Sequence, residues 1–252
     1  MQPENNSVFL VLSFPRGLVV SSAFGKTPTM TLTEAAEATG LSRATVRRFL
    51  HTLVSLGYMR AGDKSFQLTP KVMNLGFAYL SSQPLVELVD PVLANLSKQL
   101  GQSTSVSVLD TTDVVYIARQ ETTSIMRINI TVGTRFPAYA TSMGRVLLAG
   151  LSDAELEAYF AQADLTEVTD YTMTDPSWLR SEISKIRAQG FAVITEELEV
   201  GLASVAVPIR NRAGKTVAAM NTSIAVTQHT PEDLTELLPA LQAAADEVSN
   251  AL

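Results

Sequence analysis

The chain has 252 residues, of which 46% are hydrophobic and 17% are charged. This composition can bury a substantial core, which argues against a largely disordered protein. The absence of cysteine excludes disulfides, thiolate nucleophiles and thiolate metal sites. No apolar run reaches the roughly 18–20 residues that a membrane-spanning helix requires. Because the first residues also lack the basic start of a secretory signal, a cytoplasmic protein without membrane partners is expected.

Charge is distributed unevenly along the chain. Residues 1–75 carry eight basic and four acidic side chains, a net charge of +4; the whole chain carries −6, so the remainder carries −10. A basic first part should be attracted to phosphate, and an acidic second part should be repelled by it. The overall negative charge therefore does not argue against a nucleic-acid partner.

The first predicted helix spans residues 9–23 and places Leu10, Phe14 and Leu18 on one apolar face. A proline and a glycine within this range weaken the pattern, so a break in the helix stays open. Residues 25–29 are predicted to form a loop, because their composition is typical of turns.

A short helix, a tight turn and a longer helix are predicted next. Residues 31–34 fit a capping box, so a helix should run to Thr39, where Gly40 ends it. Ser42 is a favourable N-cap for the following helix, which should end near Leu56. Two strands of a hairpin follow at residues 58–60 and 65–68. This order of elements is typical of a winged helix-turn-helix.

The second helix of this motif carries the residues expected to contact DNA. Its buried stripe is predicted at helical spacing: Val46, Leu50, Leu53 and Val54. Arg43, Arg47 and His51 recur every four residues on another face, where a basic stripe can enter the major groove. The predicted DNA-binding residues are Ser42, Arg43, Ala44, Thr45, Arg47, Arg48 and, in the hairpin, Lys64. The alternative is an ordinary solvated helix face; the capped helix before it and the basic hairpin after it favour DNA binding.

The rest of the chain predicts an α+β domain. Helices are predicted at residues 71–81, 85–100, 141–150, 152–161, 176–189 and 231–252. Strands are predicted at residues 103–109, 114–119, 125–130, 191–196, 203–210 and 216–224. Strands at both ends, with helices between and after them, indicate one antiparallel sheet with helices packed against it.

The sequence offers little support for catalysis. It has two histidines, one on the proposed DNA-binding helix and one at position 229, which are a poor basis for a metal site. Nucleophile-elbow, Walker and dinucleotide motifs are missing, so neither an enzyme, a cofactor nor a metal is expected. Glu196, Glu197 and Glu199 cluster at a strand end, where paired carboxylates can serve acid–base chemistry. A solvated turn or a domain contact is the preferred interpretation of that cluster.

Both parts of the chain resemble the IclR family of bacterial transcriptional regulators. The segments that carry the resemblance are residues 32–48, 53–58, 138–149, 190–192 and 196–202. Residues 13–18, 47–50 and 203–208 are similar to the branch of this family that regulates the β-ketoadipate pathway, including protocatechuate and 4-hydroxybenzoate regulators. The resemblance implies a winged helix-turn-helix domain at residues 1–81, a linker helix at 82–101, and a GAF-like effector-binding domain at 102–252.

The same resemblance implies dimers or tetramers and a ligand pocket between the sheet and the central loops. The predicted effector-binding residues are Arg135, Thr141, Ser142, Met143, Gly144, Ile194, Ser204, Asn221 and Ser223. Some members place an acid at the position of Ile194 and a cysteine at that of Ser204, and both departures disfavour a small keto acid. The expected effector is an aromatic acid or a dicarboxylate.

Local arguments support part of this pocket. Residues 131–140 are predicted to be a loop, and Thr141 to cap the next helix, whose first N–H groups form a natural carboxylate site. Asn221 and Ser223 are two residues apart, so they share one face of their strand. Arg127 and Arg135 flank the region and could add a charge-assisted bond. The alternative is that Ser142 is only part of a helix cap, while the strand residues bond within the core.

The sequence thus predicts a sequence-specific, DNA-binding transcriptional regulator that forms a homodimer or tetramer and controls aromatic catabolism. Two alternatives stay open. One is a regulator of the same type that senses a sugar acid or a keto acid. The other is an enzyme that uses the first domain as a DNA-binding anchor.

Overall fold

The computed structural model describes residues 11, 13–25, 27–82, 84–122, 130–227 and 231–252. The chain divides into two compact units, Met1–Leu80 and Ser81–Leu252. Within the described residues, no helix is both long enough and apolar enough to cross a membrane.

The first unit is a winged helix-turn-helix, as the sequence predicts. Its elements are α1 (Ser13–Ala23), β1 (Thr29–Thr31), α2 (Leu32–Thr39), α3 (Arg43–Ser55), β2 (Met59–Ala61), β3 (Ser65–Leu68), a 3-10 turn (Pro70–Val72) and α4 (Met73–Ser81). The three strands form an antiparallel sheet in the order β1-β3-β2. The structure adds β1, which the sequence analysis did not predict because a three-residue strand is too short to show a period.

Local capping signals fix the two helices of the motif. Thr31 Oγ1 accepts a bond from the backbone N–H of Glu34, and the Glu34 carboxylate accepts one from the backbone N–H of Thr31 at 2.7 Å. Gly40 follows with a φ of 66°, a left-handed conformation that glycine adopts without strain. Ser42 caps α3 by accepting a bond from the Thr45 backbone N–H. The predicted capping box, helix stop and N-cap are all confirmed.

The core of the first unit differs from the prediction in α1. Phe14 and Leu18 are 67% and 48% exposed, whereas Val20 of the same helix is fully buried. The reason is that α1 faces the core with Val20 and meets α3 where Gly17 lies beside the Phe49 ring. A proline in the first turn does not interrupt α1, because the N–H groups of a first turn have no helical partner. Leu10 lies outside the described residues.

The second unit confirms the predicted α+β class. Its elements are α5 (Pro84–Leu100), β4 (Ser103–Asp110), β5 (Asp113–Gln120), β6 (Arg135–Pro137), α6 (Ser142–Ala149), α7 (Asp153–Phe160), α8 (Pro176–Gln189), β7 (Ala192–Thr195), β8 (Leu202–Arg210), β9 (Thr216–Ala225) and α9 (Pro231–Ala251). Within the part of this unit that the structure describes, six strands form one antiparallel sheet in the order β6-β5-β4-β9-β8-β7. The predicted strand at residues 125–130 falls largely on 123–129, outside the described residues.

Helices cover both faces of this sheet. Side chains of α5 and α9 pack with one face in a single apolar cluster that includes Val89, Leu93 and Leu241. Side chains of α6 and α8, such as Leu147 and Ile183, pack with the opposite face. The helix predicted as a linker is thus represented by α5, whose apolar side chains lie in the core of the second unit.

The edge strand β6 replaces part of the loop predicted at residues 131–140. It pairs with β5 through Arg135, Phe136 and Pro137. Proline has no backbone N–H to donate and is tolerated here because β6 is the outermost strand of the sheet. A Pro-containing segment of three residues does not show the alternating pattern from which strands are predicted.

Candidate functional site

The N-terminal half of α3 presents an exposed basic face. Arg43, Ala44, Arg47 and Arg48 are all exposed, while Val46 and Leu50 on the opposite side are fully buried. The two other predicted DNA-binding residues of this segment form the cap, where the hydroxyls of Ser42 and Thr45 lie 2.9 Å apart. The predicted amphipathic division of α3 is present, so its basic side chains project into solvent.

The hairpin next to α3 holds the seventh predicted DNA-binding residue. Lys64 is exposed in the turn between β2 and β3. The hairpin is fixed to α3 by an edge-on contact between the rings of His51 and Phe66, whose centroids are 6.2 Å apart. At the end of α3, the Lys71 ammonium donates to the Leu56 carbonyl at 2.9 Å. The helix and the hairpin therefore form one packed surface on which the predicted DNA-binding residues lie.

The second unit contains a cavity between its sheet and α6. Its volume is about 20 Å³, room for roughly one water molecule, and it opens to solvent. Its walls come from four strands (β5, β7, β8 and β9), the start of α6 and the segment after β7. The lining residues are Tyr116, Arg119, Ile130, Ala140, Thr141, Ser142, Met143, Ile194, Leu198, Leu202, Ser204, Asn221 and Ser223.

Two rows of cross-strand neighbours form the sheet wall of this cavity. In one row, Ser105 of β4 pairs with Arg119 on β5 and with Asn221 on β9. In the other row, Ser223 of β9 pairs with Ser204 on β8, which in turn pairs with Ile194 on β7. Directly paired residues point to the same face of an antiparallel sheet. The prediction that Asn221 and Ser223 share a face is confirmed.

A β-bulge in β5 adds two further side chains to this wall. The register shifts so that Val106 pairs with Ala118 while the next residue of β4, Ser107, pairs with Tyr116. Ile117 is therefore an extra residue, and both Ile117 and Ala118 pack into the core on the far side of the sheet. Because of this insertion, Tyr116 and Arg119 both line the cavity, although strict alternation would send them to opposite faces.

The start of α6 forms the opposite wall. Thr141 is its N-cap, and its hydroxyl accepts a bond from the Gly144 backbone N–H at 3.0 Å. The Ser142 hydroxyl accepts a bond from Ser204 Oγ at 2.9 Å, which connects α6 to the sheet. A Cβ at position 144 would overlap the Ala138 carbonyl, so the glycine permits the close approach of α6 to the preceding turn. The backbone N–H groups of Ser142 and Met143 thus begin a helix at the cavity.

The structure brings seven of the nine predicted effector-binding residues to this cavity and leaves two outside its lining. Gly144 packs against the Ala138 backbone. Arg135 lies on the edge strand β6, where its guanidinium bonds to Asp110 at 2.7 Å and Asp113 at 3.1 Å. Arg127 falls outside the described residues. Sequence reasoning missed six lining residues: Tyr116, Arg119, Ile130, Ala140, Leu198 and Leu202.

Of the three carboxylates after β7, Glu197 is not solvated, so the interpretation of the cluster as a solvated turn is wrong for this residue. Glu197 is buried, and its carboxylate pairs with the guanidinium of Arg145 at 2.5 Å. The backbone N–H of Met173 donates to the same carboxylate oxygen at 2.9 Å, and the Arg145 Nε donates to the Tyr139 carbonyl. The Trp178 ring covers the guanidinium at 5.1 Å. This pair ties α6 to the segment that carries Leu198 into the cavity.

Two polar groups at the cavity have properties that bear on a ligand. Asn221 is 5% exposed, and its Oδ1 is buried without a hydrogen-bond partner in the described structure, while its amide nitrogen donates to Ser223. Burial raises the pKa of Tyr116 to about 12, against the smaller opposing effect of the nearby Arg119 charge. The Tyr116 phenol is therefore neutral at physiological pH. A buried acceptor such as Asn221 Oδ1 is normally satisfied by water or by a ligand.

Comparisons with known proteins agree with this two-part arrangement. The IclR helix-turn-helix domain matches residues 16–62, and the C-terminal domain of bacterial IclR transcriptional regulators matches residues 77–250. A Pca regulon regulatory protein from Pseudomonas putida is 42% identical over 243 residues, which are 95% of this chain and 84% of that protein.

Solved structures show the same relationship. A transcriptional regulator from Rhodococcus sp. RHA1 superimposes with a TM-score of 0.84 at 48% identity, covering 96% of this chain and 98% of the other. The inducer-binding domain of a PobR double mutant from Acinetobacter, in complex with 3-hydroxybenzoic acid, gives a TM-score of 0.62 at 31% identity, covering 68% of this chain and all of that domain. The matched domains are those of regulators rather than enzymes. This chain belongs to the IclR family of bacterial transcriptional regulators.

Proposed function

We propose that α3 contacts operator DNA in the major groove while the cavity of the second unit binds an aromatic acid or a dicarboxylate. Binding of that effector changes operator affinity and so controls genes of aromatic catabolism. The protein acts in the cytoplasm, where its operator is found, as a homodimer or a tetramer built from such dimers.

The exposed basic face of α3 supports the DNA-binding part of the proposal. Arg43 and Arg47 lie one helical turn apart on this face and are exposed, so both reach outward together. Arginine pairs with guanine O6 and N7 in the major groove, and the small side chain of Ala44 permits close approach. Lys64 in the hairpin supplies a charge for a phosphate.

Footprinting on the promoter tests these assignments. Arg43→Ala and Arg47→Ala should each weaken operator binding by about 1–3 kcal/mol and relax the preference at one base pair. Lys64→Ala should weaken binding to all DNA sequences alike. It should also lower the slope of the logarithm of affinity against the logarithm of salt concentration by about one. Arg212→Ala, an exposed arginine of the second unit, is the control. Normal operator binding by both α3 variants would contradict the assignment.

Exposed apolar side chains on two helices of the first unit support assembly into dimers. They are Phe14, Leu18 and Val19 on α1, and Met73, Leu75, Phe77 and Tyr79 on α4. A single winged helix contacts too little DNA for high specificity, whereas two copies related by a two-fold axis bind both halves of a palindrome. A second copy of the chain covers these side chains. The apolar face of the helix at residues 85–100, the other predicted contact, is buried in its own unit.

Light scattering of the free and the operator-bound protein tests the assembly. A dimer or a tetramer is expected, and Phe77→Asp should shift the free protein toward a monomer because it places a charge on the contact. Val168→Asp changes an exposed apolar side chain of the second unit and serves as the control. A monomeric wild-type protein in both states would contradict the proposal.

The effector part is supported chiefly by the polar rows of the cavity. Asn221, Ser204 and Ser223 present amide and hydroxyl groups between apolar side chains such as Ile194 and Leu198. A cavity with apolar walls and a few fixed polar groups suits a small ligand with an apolar body and polar ends. The related Acinetobacter domain holds such a molecule, 3-hydroxybenzoic acid.

Titration calorimetry with protocatechuate, 4-hydroxybenzoate and β-ketoadipate tests the effector. Asn221→Ala and Ser223→Ala should each weaken binding by roughly 0.5–1.5 kcal/mol while operator affinity is retained. Thr222→Val alters the residue between them, whose hydroxyl donates to the Ser103 carbonyl, and should leave effector binding unchanged. Equal binding by wild type and both variants would place the site elsewhere. Binding of sugar acids or keto acids instead would indicate another metabolite class, and turnover would indicate an enzyme.

A further inference from the structure

A surface groove lies between α1 and α3 in the first unit. Its volume is about 350 Å³, and it opens to solvent. Two residues of α1 and four of α3 line it: Ser13, Arg16, Thr45, Arg48, Phe49 and Thr52. The groove thus combines two permanent positive charges with three hydroxyl groups and one aromatic ring.

Helical spacing places the first two of these residues on the side of α1 that meets α3. Ser13, Arg16, Gly17 and Val20 follow the i, i+3, i+4, i+7 pattern of one stripe. Val20 is fully buried, and Gly17 lies beside the Phe49 ring of α3. Arg16 is exposed and lines the groove, so it lies at the edge of this contact between the helices.

The lining residues of α3 form a second stripe, next to the face proposed to contact bases. Thr45, Arg48, Phe49 and Thr52 follow the same helical spacing. Successive residues of a helix are about 100° apart, so Arg48 lies beside Arg47 on the side toward α1. The major groove is about 12 Å wide, close to the width of a helix with its side chains, so the flanks of an inserted helix meet phosphates. The groove between α1 and α3 is therefore expected beside one DNA backbone.

The charges of the groove favour an anion. Neither α1 nor α3 contains an aspartate or a glutamate. Within the part of the first unit that the structure describes, neither the Arg16 nor the Arg48 guanidinium forms an ion pair, whereas Arg135, Arg145 and Arg187 of the second unit each pair with a carboxylate. Two like charges on facing walls of one groove repel each other, and an anion bound between them offsets that repulsion.

We infer that Arg16 and Arg48 bind the same phosphate of the operator backbone, which makes α1 a second helix that contacts DNA. This inference rests on the proposed function of α3 as the helix that enters the major groove. A guanidinium donates two parallel bonds to phosphate oxygens, so the contact is oriented as well as attractive. Because the phosphate is the same at every base pair, the contact adds affinity and fixes the position of α3 without selecting bases.

Fluorescence anisotropy of the full-length protein on the operator and on an unrelated duplex of equal length tests this contact. Arg16→Gln and Arg48→Gln should each weaken binding to both duplexes by about three- to thirtyfold and leave the ratio of the two affinities unchanged. The slope of the logarithm of affinity against the logarithm of salt concentration should fall by about one for each protomer bound. Arg16→Lys keeps the charge and should retain the slope. Arg212→Gln removes an exposed arginine of the second unit and should change neither quantity.

Operators that carry a single neutral methylphosphonate linkage locate the phosphate. At one position in each half-site, the neutral linkage should weaken binding of the wild type and leave both Arg16→Gln and Arg48→Gln unaffected, because the partner of the lost charge is already gone. If the two variants become insensitive at different positions, the arginines bind separate phosphates. If either variant stays as sensitive as the wild type at every position, its arginine binds none. Both results overturn the inference.

Other roles of the groove give different results. If Arg16 only holds α1 against α3, Arg16→Gln displaces α3 and lowers the ratio of operator to unrelated affinity, which overturns the inference. If a second copy of the chain fills the groove, Arg16→Gln changes the oligomeric state in light scattering and leaves the salt slope unchanged, which also overturns it. Phe14 and Leu18 of the proposed dimer contact lie on a different side of α1 from Arg16, so the two surfaces are compatible.

The unrelated duplex also separates this inference from the proposed function. If the wild type binds the operator no better than the unrelated duplex, base selection by α3 fails, and the salt slope of Arg16→Gln on the unrelated duplex still decides the inference. If the wild type selects its operator and Arg16→Gln keeps both affinity and salt slope, the inference alone is overturned. A wild-type protein that binds neither duplex overturns both.

Discussion

The two units of the chain differ in which side chains they bury and which they expose. In the described residues, every buried polar or charged side chain lies in the second unit: Ser97, Thr104, Ser105, Ser107, Thr141, Ser142, Arg145, Thr172, Glu197, Asn221 and Thr222. Nine of the fourteen large apolar side chains that are exposed among the same described residues lie in the first 80 positions. The first unit thus carries charged and apolar side chains at its surface, while the second encloses polar groups around a cavity.

This contrast shows how differently the two units depend on internal polar contacts. A buried polar group is costly unless it is bonded, so the second unit is sensitive to changes that leave one such group alone. An exposed group is solvated in any case, so the first unit tolerates its replacement and loses function instead of stability. Substitutions matched between exposed and buried positions can measure this difference.

The largest effect is expected from breaking the buried ion pair of Arg145 and Glu197. Glu197→Ala leaves a buried guanidinium without its carboxylate and should lower the free energy of unfolding by about 3–5 kcal/mol in urea denaturation. Glu157→Ala removes a carboxylate from Arg180 in an exposed, solvent-screened pair and should lower the free energy of unfolding much less. The double replacement Arg145→Met with Glu197→Leu should recover much of the loss. Equal costs for the two alanine variants would refute the distinction.

An intermediate effect is expected from adding a methyl group to a helical glycine in each unit. Gly144→Ala forces α6 away from the Ala138 carbonyl and should cost about 1–3 kcal/mol, as overpacking does. Gly76 of α4 has nothing near the position of its missing Cβ, so Gly76→Ala should stabilise the protein by about 0.4–1 kcal/mol. Thermal unfolding measures both variants. A stabilising Gly144→Ala would show that α6 can move without penalty.

The smallest effect is expected from the acidic members of the two capping boxes. Bonds from the Thr31 backbone and side chain lower the pKa of Glu34, and bonds from the Ser152 side chain and backbone lower the pKa of Glu155. A carboxyl group whose pKa is lower in the folded state stabilises the fold above its ordinary pKa of 4.5. This contribution is lost as the pH falls through the lowered, folded value.

Glutamine substitutions isolate that titration, because glutamine also serves in a capping box but carries no charge. Urea denaturation from about pH 6 to about pH 3 should show wild type losing a stability advantage over Glu34→Gln and over Glu155→Gln as the pH falls. Parallel pH profiles for wild type and variants would be inconsistent with the lowered pKa values.

Much of the first unit could be predicted because its signals are local. Thr31, Gly40 and Ser42 each act on residues within a few positions, and the helical period of α3 separates its buried stripe from its basic face. The same is true of Asn221 and Ser223, since alternation along one strand is enough to place them together. These features depend on no contact with a distant part of the chain.

The features that sequence reasoning missed depend on distant partners or on irregular pairing. Glu197 is buried because Arg145, 52 residues away, provides the opposite charge. Arg119 reaches the cavity because one extra residue in β5 changes the face on which it lies, and a strict period of two would place it with the core. Arg135 was predicted to bind the effector but lies outside the cavity lining. Its guanidinium instead pairs with Asp110 and Asp113 at the sheet edge.

The extra residue in β5 has a consequence for how the cavity can diverge among descendants of this chain. Deleting Ile117 would leave Tyr116 and Arg119 two residues apart, so strict alternation would keep both on the cavity side of the sheet. Loss of this single codon would thus remove a core side chain without changing which residues line the cavity. If β5 kept its length but lost the bulge, one of the two side chains would face the core instead. The irregular pairing is therefore a heritable determinant of the chemistry of the cavity, alongside the identities of the side chains.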